Sequence, residues 1–340
     1  MLAPIFTDSN VPAEHRPDWA ARVEPIGPPR RRRRPLLAAL YAREVARAPI
    51  DDAEVVLSFT GHGWAFAARA PGAPHVAYVS GLPRSLYHEA AAYRRAEPLL
   101  LRPFWCAALP RLRAHNCRLM QGPDRLVTNS RASAAALRER CGVDAAVVHP
   151  PVRTAFFTPA ERDRRHVLFV GRLLGHKYAD VAIEAALRAG IHPVVAGGGR
   201  LLPALRRRYE GRATFTGWVD DNKLRELYRS ALVVVCPSVE EFGIVMAEAQ
   251  ACGTPVVAPR HGGALDIVRD GETGRLVDDP TPAAIARALR ALPVDPQACR
   301  AVGASFSEDA FAGGMDELLS EALGRRPESG LRHARAAAYA

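Results

Sequence analysis

The sequence predicts an α/β protein in which parallel sheets are covered by helices. Its 340 residues are enough for two domains of ordinary size. In the second half, short apolar runs alternate with amphipathic segments of helical spacing, and the runs are continuously apolar. Continuous apolar strands that alternate with helices indicate a doubly wound parallel sheet, which has both of its faces buried.

The elements of the second half follow from this alternation. We predict strands over 166–171 (HVLFVG), 192–197 (HPVVAG), 213–217 (ATFTG), 232–238 (LVVVCPS), 254–259 (TPVVAP) and 273–277 (TGRLV). We predict helices over 178–190, 200–211, 220–231, 244–253, 263–271 and 281–292, several of which start at Asp or Thr or stop at Gly.

The first half has a less regular pattern. We predict strands over 53–59, 75–80, 125–130 and 145–152, and a helix over 131–142 that stops at Gly142. The region 84–120 reads as mostly helical but broken at Pro98, Pro103 and Pro110. The prolines of 149–166 indicate an extended linker between two domains.

The predicted domain organisation has five parts. They are an N-terminal domain over 1–150, a linker over 151–165, a C-terminal domain over 166–305, a helix over 306–325 that packs back on the N-terminal domain, and a tail over 326–340.

Composition limits the classes of function. Apolar residues make up 48% of the chain, so a large core is expected and global disorder is not. No apolar run approaches the length of a transmembrane helix, and the N-terminus lacks a secretory-signal pattern. The six cysteines lack CxxC spacing, which argues against zinc and fits reduced thiols. We therefore expect a cytoplasmic protein.

A run of five arginines, Arg30–Arg34, is the strongest local charge in a chain of net charge +10. Such a run is either a solvated loop or a contact with anionic membrane on the inner face of the cell membrane. It lacks the interleaved aromatics of a nucleic-acid module, so we expect no nucleic-acid partner.

Three loops of the second half follow predicted strands, where ligands of parallel sheets bind. The first, GRLLGHK, is bounded by Gly171 and holds Arg172 and Lys177, two cations before a helix that could bind an anion. The second, AGGGR over 196–200, allows either a close backbone approach or a plain turn.

The third loop holds a pair of acids around a glycine. Glu240 follows a strand, Gly243 precedes a helix, and Glu248 lies within that helix. The first N–H groups of the helix favour a phosphate, and Glu248 could accept hydrogen bonds from ribose hydroxyls. An acid and a ring of N–H donors could thus hold a sugar and a phosphate together. The alternative is a capping acid with a surface glutamate.

These motifs resemble glycosyltransferase family 4, whose members are retaining enzymes of the GT-B fold with two Rossmann-like domains that face a crevice. EEFGIVMAE is similar to the family's E-x7-E motif, and GRLLGHK to its diphosphate loop. The segments ACGTPVVAPRHGGALDIVRDGETGRLV and TNSRASAAALRERCGVDAAVVHPPVRTAFFTP also resemble the family, so the likeness covers about 125–290. The subgroup that it most resembles is that of mannosyltransferase-like enzymes of bacterial polysaccharide synthesis.

The resemblance implies catalytic roles for three residues. Arg172 and Lys177 match the pair that neutralises the donor diphosphate as it leaves, and Glu240 matches the acid that contacts the donor sugar. This is electrostatic stabilisation of a leaving group. The family needs no bound metal, and we expect neither a metal nor a cofactor in this protein, with the nucleoside diphosphate sugar as co-substrate.

The resemblance also implies a donor-binding set. Glu248 matches the acid that binds ribose. In the family, one loop binds the sugar and phosphate through its backbone N–H groups, and the residues that match it here are Phe242, Gly243, Ile244 and Val245. Gly171 bounds the diphosphate loop.

The N-terminal domain departs from the family pattern. It opens at MLAPIFT, without the usual first strand and glycine-rich loop, so we expect a shortened domain and weak transfer. Ser80 stands where the subgroup has a histidine, and His62 is the neighbouring candidate for an acceptor-side residue.

The sequence therefore predicts a glycosyltransferase that moves a sugar, with mannose as a candidate, to a hydroxyl of a glycan or a lipid-linked acceptor. Two alternatives stay open. One is another GT-B activity, such as a nucleotide-sugar epimerase or a phosphorylase. The other is a degenerate subunit that binds the donor without transferring it.

Overall fold

A computed structural model of the chain describes residues 2–4, 24–26, 53–60, 70–87, 90–96, 102–292 and 295–324. His62, Arg30–Arg34, Pro98 and the predicted tail 326–340 lie outside the described residues. The described part divides into two compact units. The first unit comprises the described residues up to Asn129, the segment Ser133–Val147 and the described residues from Asp316 onward. The second unit comprises Ser130–Ala132 and Val148–Met315.

The first unit contains two parallel sheets within the described residues. Its strands are β1 (Leu2–Pro4), β2 (Glu24–Ile26), β3 (Val56–Thr60), β4 (His75–Val79), β5 (Arg125–Thr128) and β6 (Ala146–Val147). β1 pairs with β2, and the other four follow the order β3-β4-β5-β6. β6 ends earlier than predicted, because the Pro150 and Pro151 that follow have no N–H to donate to a ladder.

Helices cover the second of these sheets. They are α1 (Ala90–Ala96), α2 (Arg102–Met120) and α3 (Arg131–Cys141). The predicted breaks at Pro103 and Pro110 are wrong, because α2 runs through both residues. Pro103 lies in the first turn, where its missing N–H has no intrahelical role, and Pro110 lies on an exposed face. Met120 and Leu137 anchor α2 and α3 in the core against β4 and β5.

Two cysteines of the first unit form a disulfide, contrary to the expectation that all thiols are reduced. Cys117 lies near the end of α2 and Cys141 at the end of α3, and their Cα atoms are 4.9 Å apart. The residues lie 24 positions apart without a recognisable motif, so only helix packing brings them together.

We expect thiol titration of the unfolded, non-reduced protein to count four free cysteines, since Cys106, Cys236, Cys252 and Cys299 are unpaired. Reduction before unfolding should bring the count to the six cysteines of the sequence. Six thiols without reductant would contradict the disulfide.

The second unit is a doubly wound domain, as the sequence predicts. Its strands are β7 (His166–Val170), β8 (His192–Ala196), β9 (Thr214–Gly217), β10 (Ala231–Val235), β11 (Val256–Pro259) and β12 (Gly274–Val277). Among the described residues they form one sheet in the order β12-β11-β10-β7-β8-β9, and every pair is parallel.

Both faces of this sheet are buried. Leu168 and Val234 belong to the core cluster on one face, and Val167 and Val233 to the cluster on the other. Successive residues of a strand point to opposite faces. A strand buried on both sides therefore reads as a continuous apolar run, the signal used to predict it.

Helices follow the strands of this unit. They are α4 (Ala179–Ala189), α5 (Leu202–Arg208), α6 (Asp221–Ser230), α7 (Ile244–Ala251), α8 (Ala264–Ile267), α9 (Pro282–Arg290) and α10 (Pro296–Ala304), and α11 (Glu308–Ala322) comes last. Asp220 caps α6 by accepting a hydrogen bond from the Lys223 N–H, at 2.8 Å, and Gly190 ends α4 with a φ of 75°. We did not predict α10, and α8 is shorter than its prediction over 263–271.

Candidate functional site

Neighbouring strands bring the first and third predicted loops together. β7 pairs directly with β10, and both strands run in the same direction. The loop after β7 carries Arg172 and Lys177, and the loop after β10 carries Glu240. Both loops therefore leave the same edge of the sheet, where ligands of such folds bind.

Lys177 and Glu240 form an ion pair across this edge. The Lys177 Nζ lies 2.6 Å from Glu240 Oε1 and 2.8 Å from Oε2, although the residues are 63 positions apart. Each side chain is less than one-fifth exposed. The Ser238 hydroxyl donates a further hydrogen bond to Glu240 Oε1, at 2.6 Å. Glu240 is thus held by two donors, and we had not predicted the role of Ser238.

Arg172 lies in the same loop but is placed differently. Its side chain is exposed, and within the described part of the chain its guanidinium has no hydrogen-bond or ion-pair partner. Lys177 ends a short 3₁₀ helix, Gly175–Lys177, and Tyr178 then adopts a left-handed conformation with φ 51°. This turn directs Lys177 to Glu240. The exposed guanidinium of Arg172 can then bind an anionic ligand.

The glycines of the second loop support the first loop through close backbone contact. A Cβ on Gly197 would lie 2.0 Å from the Gly171 carbonyl oxygen, and one on Gly199 would lie 2.6 Å from that of Leu173. The Leu173 N–H donates to the Gly198 carbonyl at 2.8 Å. The close backbone approach allowed by these glycines is therefore present. The backbone that they approach is that of the Arg172 loop.

We expect Gly197→Ala to disturb the Arg172 loop, because the new Cβ meets backbone and the φ of 131° disfavours a side chain. The loss of stability should be about 2–4 kcal/mol, with weaker binding of nucleoside diphosphates. Gly198→Ala is the matched control: its Cβ would meet no atom within 4 Å, and its effect should stay within about 0.5 kcal/mol. Urea unfolding of both variants is the measurement. Equal losses would contradict this role of Gly197.

The start of α7 has the geometry of an anion site. Gly243 precedes the helix with a φ of 100°, and the Met246 N–H already bonds to the Gly243 carbonyl at 2.8 Å. The first N–H groups of a helix have no carbonyl within it to bond, so those of Ile244 and Val245 are available. Ile244 is partly exposed, so this end of the helix is accessible.

Phe242 acts through its side chain as an anchor for this loop. Its ring is buried, stacks on His149 at 5.5 Å and meets Phe306 edge-on at 5.3 Å. Gly262 and Gly263 pack against the same loop, since Cβ atoms there would lie 2.3 Å from the Glu240 carbonyl oxygen and 2.1 Å from that of Phe242. We did not predict a role for these two glycines from the sequence. The one sequence feature that indicates such a role is that they are adjacent.

Glu248 lies one turn into α7 and is held by a buried tyrosine. The Tyr228 hydroxyl donates to Glu248 Oε2 at 2.8 Å. Burial raises the pKa of Glu248 to about 7, and the hydrogen bond from Tyr228 opposes that rise. This carboxyl group therefore titrates near neutral pH, where a functional group can change its charge.

The structure describes one of the two predicted acceptor-side residues, Ser80. Ser80 is exposed after β4 in the first unit, and its carbonyl accepts a hydrogen bond from Asn129 Nδ2 at 2.8 Å. His62 lies outside the described residues.

Within the described ranges there is no group of three His, Cys, Asp or Glu side chains that could hold a metal ion. A metal-free mechanism remains a prediction.

The architecture places the protein in a known class of fold. The chain is similar to sucrose-phosphate synthase from Thermosynechococcus elongatus, with a TM-score of 0.67, 22% identity, and coverage of 89% of this chain and 83% of that one. It is also similar to Anabaena Alr3699/HepE in complex with UDP, with a TM-score of 0.63, 18% identity, and coverage of 84% and 82%. The fold is therefore the GT-B fold.

Sequence relatives make the assignment more specific. Residues 153–321 match the family described as glycosyl transferases group 1. The chain is 39% identical over 211 residues to the D-inositol 3-phosphate glycosyltransferase of Acidothermus cellulolyticus, which covers 51% of this chain and 46% of the relative. The corresponding enzyme of Streptomyces bingchenggensis is 34% identical over 238 residues, 60% of this chain and 52% of the relative. The chain spans about half the length of these curated relatives, and its match to the glycosyl transferases group 1 family lies within residues 153–321.

The described helices include none that is long and apolar enough to span a membrane. Both sequence relatives are D-inositol 3-phosphate glycosyltransferases, a name that specifies no mannose donor, so the mannosyltransferase subgroup is not confirmed.

Proposed function

We propose that this protein is a retaining glycosyltransferase that uses a nucleoside diphosphate sugar. The observation that carries the proposal is the Lys177–Glu240 pair at the carboxyl edge of the second sheet, with Arg172 in the same loop. Two cations that can neutralise a diphosphate lie there beside an acid that can contact a sugar. The family match over 153–321 supports the same conclusion.

The proposed roles follow from charge and position. Arg172 and Lys177 bind the diphosphate and stabilise the charge that develops on it as the bond to the sugar breaks. Glu240, released from Lys177, accepts hydrogen bonds from the sugar hydroxyls and favours the positive charge of the transition state. The N–H groups of Ile244 and Val245 complete the anion site.

The donor and acceptor can be narrowed to a short set. Structural neighbours include Alr3699/HepE in complex with UDP and with UDP-glucose, so uridine donors are the first candidates. A nucleoside diphosphate mannose is the second candidate, from the resemblance of the motifs. Since the sequence relatives are D-inositol 3-phosphate glycosyltransferases, an inositol phosphate hydroxyl joins glycan and lipid-linked hydroxyls as an acceptor candidate.

The experiment is a thermal-shift panel of UDP, GDP and ADP sugars, followed by transfer assays with the donor that stabilises most. A ligand at about 100 times its Kd stabilises the folded state by about 2.7 kcal/mol. That corresponds to a rise of about 5–10 °C in Tm for a domain of this size. If no nucleoside diphosphate sugar raises the Tm, the proposal is wrong.

The transfer assay separates the proposal from its alternatives. A transferase joins the sugar to an acceptor hydroxyl and releases a nucleoside diphosphate. An epimerase changes the donor without an acceptor, and a degenerate subunit binds the donor and leaves it intact. The matching family and relatives are glycosyltransferases and favour neither alternative.

A further inference from the structure

Tyr228 occupies an unusual position for a residue that the proposed mechanism does not use. It lies in α6, its side chain is fully buried, and its hydroxyl donates to Glu248 Oε2 at 2.8 Å. A buried phenol needs a hydrogen-bond partner, and here the partner is a carboxylate rather than a backbone carbonyl. The residue therefore links the packed core to the acid expected to bind ribose.

The ring of Tyr228 is fixed by its surroundings. Phe157 packs edge-on against it, with the ring centroids 5.8 Å apart. The Tyr228 carbonyl accepts a hydrogen bond from the Thr254 hydroxyl at 2.7 Å, and Thr254 in turn accepts one from Arg164 at 2.6 Å. Both the backbone and the ring of Tyr228 are thus held, so its hydroxyl has little freedom to leave Glu248.

The two oxygens of the Glu248 carboxylate differ in their hydrogen bonding. Tyr228 occupies Oε2, whereas Oε1 has no hydrogen-bond partner within the described part of the chain. A carboxylate oxygen accepts hydrogen bonds, and a ribose hydroxyl donates them. Tyr228 thus fixes the direction in which Oε1 can meet a ligand.

We propose that Tyr228 is a positioning residue that fixes Glu248 Oε2 and favours the ionised carboxylate that meets the donor ribose. Donor affinity is then linked to the protonation of Glu248. This inference rests on the proposed function, because it needs a nucleotide sugar at this site. It adds the pH response of that site and the residue that sets it.

The electrostatic surroundings of Glu248 support this linkage. Burial raises the pKa of Glu248 to about 7, while Tyr228 and Arg153 lower it and Asp221 raises it. The other titratable groups near the pair are the buried thiols of Cys236 and Cys252, and burial raises the pKa of each to about 12. Neither thiol changes charge near pH 7, so Glu248 is the group that titrates in this cluster.

The sign of the effect follows from which form binds. A ribose hydroxyl bonds more strongly to the ionised carboxylate than to the neutral acid, so affinity should rise as the pH passes upward through about 7. Ligand binding should then release about half a proton per site near that pH. Removing the Tyr228 hydroxyl removes a group that favours the ionised form, so the rise should move to higher pH.

The test is calorimetric binding of the donor sugar identified in the thermal-shift panel to the full chain, from pH 5.5 to 9. Such a donor has no phosphate that titrates near neutral pH, unlike a free nucleoside diphosphate. The variants are Tyr228→Phe and Glu248→Gln. For Tyr228→Phe we expect about threefold to tenfold weaker binding at pH 7, a midpoint about 0.7–1.3 pH units higher, and recovery to within about twofold at pH 9.

A purely structural role would not produce this pattern, because a distorted site loses affinity equally at every pH. Glu248→Gln should bind weakly with no pH dependence from this group. His176 and His261 lie in the neighbouring loops, and any linkage that they contribute would persist in Glu248→Gln. Proton release by the unmodified protein, measured in buffers of different ionisation enthalpy, keeps the inference testable even if Tyr228→Phe does not fold.

The outcomes separate the two proposals. If the unmodified chain binds no nucleoside diphosphate sugar, the proposed function and this inference both fail. If it binds but releases the same number of protons as Glu248→Gln, or if Tyr228→Phe keeps the unmodified midpoint, only the inference on Tyr228 is overturned.

Discussion

Glu240→Gln should lower turnover about 10²–10³-fold while leaving the affinity for the free nucleoside diphosphate unchanged or higher. The size is that of losing one preorganised electrostatic group. The carboxylate acts most strongly as positive charge develops on the sugar, so its loss falls on the transition state. It also pairs with Lys177 through both oxygens, and a neutral amide would release that lysine to the diphosphate.

The measurement combines the rate of nucleoside diphosphate release at saturating donor with calorimetric affinity. Glu272→Gln is the matched control, because Glu272 is an exposed acid that pairs with Arg269. It should keep both turnover and affinity. If Glu240→Gln lost affinity but kept its turnover at saturating donor, the residue would act in donor binding alone.

Lys177→Ala should weaken the binding of a nucleoside diphosphate by about 1.5–3 kcal/mol, or roughly 10- to 150-fold. Two effects contribute to this loss. The diphosphate loses a charged donor, and Glu240 loses the cation that neutralises it in a position less than one-fifth exposed. The remaining Ser238 hydroxyl keeps the carboxylate in place without cancelling its charge.

Arg287→Ala controls for the loss of one positive charge from the whole protein. Arg287 is exposed in α9 and makes no ion pair among the described residues. Its removal should leave affinity within about twofold, since exposed charges at a distance are screened. Equal losses in both variants would show that Lys177 acts only through net charge.

Much of the second unit could be predicted because its strands are buried on both faces. Continuous runs such as HVLFVG and LVVVCPS cannot be solvent-facing strands, and their alternation with capped helices defines a parallel sheet. The first unit was harder, because a proline inside a helix removes one backbone hydrogen bond but does not always end the helix. Pro110 lies on an exposed face of α2 and does not break the helix.

The candidate site was predictable by residue type but not by contact. Arg172, Lys177, Glu240 and Glu248 could be named from spacing and resemblance. Their partners could not, because contacts such as Lys177–Glu240 join residues far apart in the chain. The Cys117–Cys141 disulfide was missed for the same reason. Such pairs are fixed by sheet order and helix packing, which local patterns do not encode.

The central claim is that the loop of Arg172 and Lys177 binds the diphosphate of a nucleotide donor. The most direct measurement compares calorimetric affinities for a nucleoside diphosphate and the matching monophosphate in the unmodified protein and in Lys177→Ala. We predict that the unmodified protein prefers the diphosphate and that Lys177→Ala loses about 10-fold or more of that preference. An equal preference for the diphosphate in both proteins would contradict the claim.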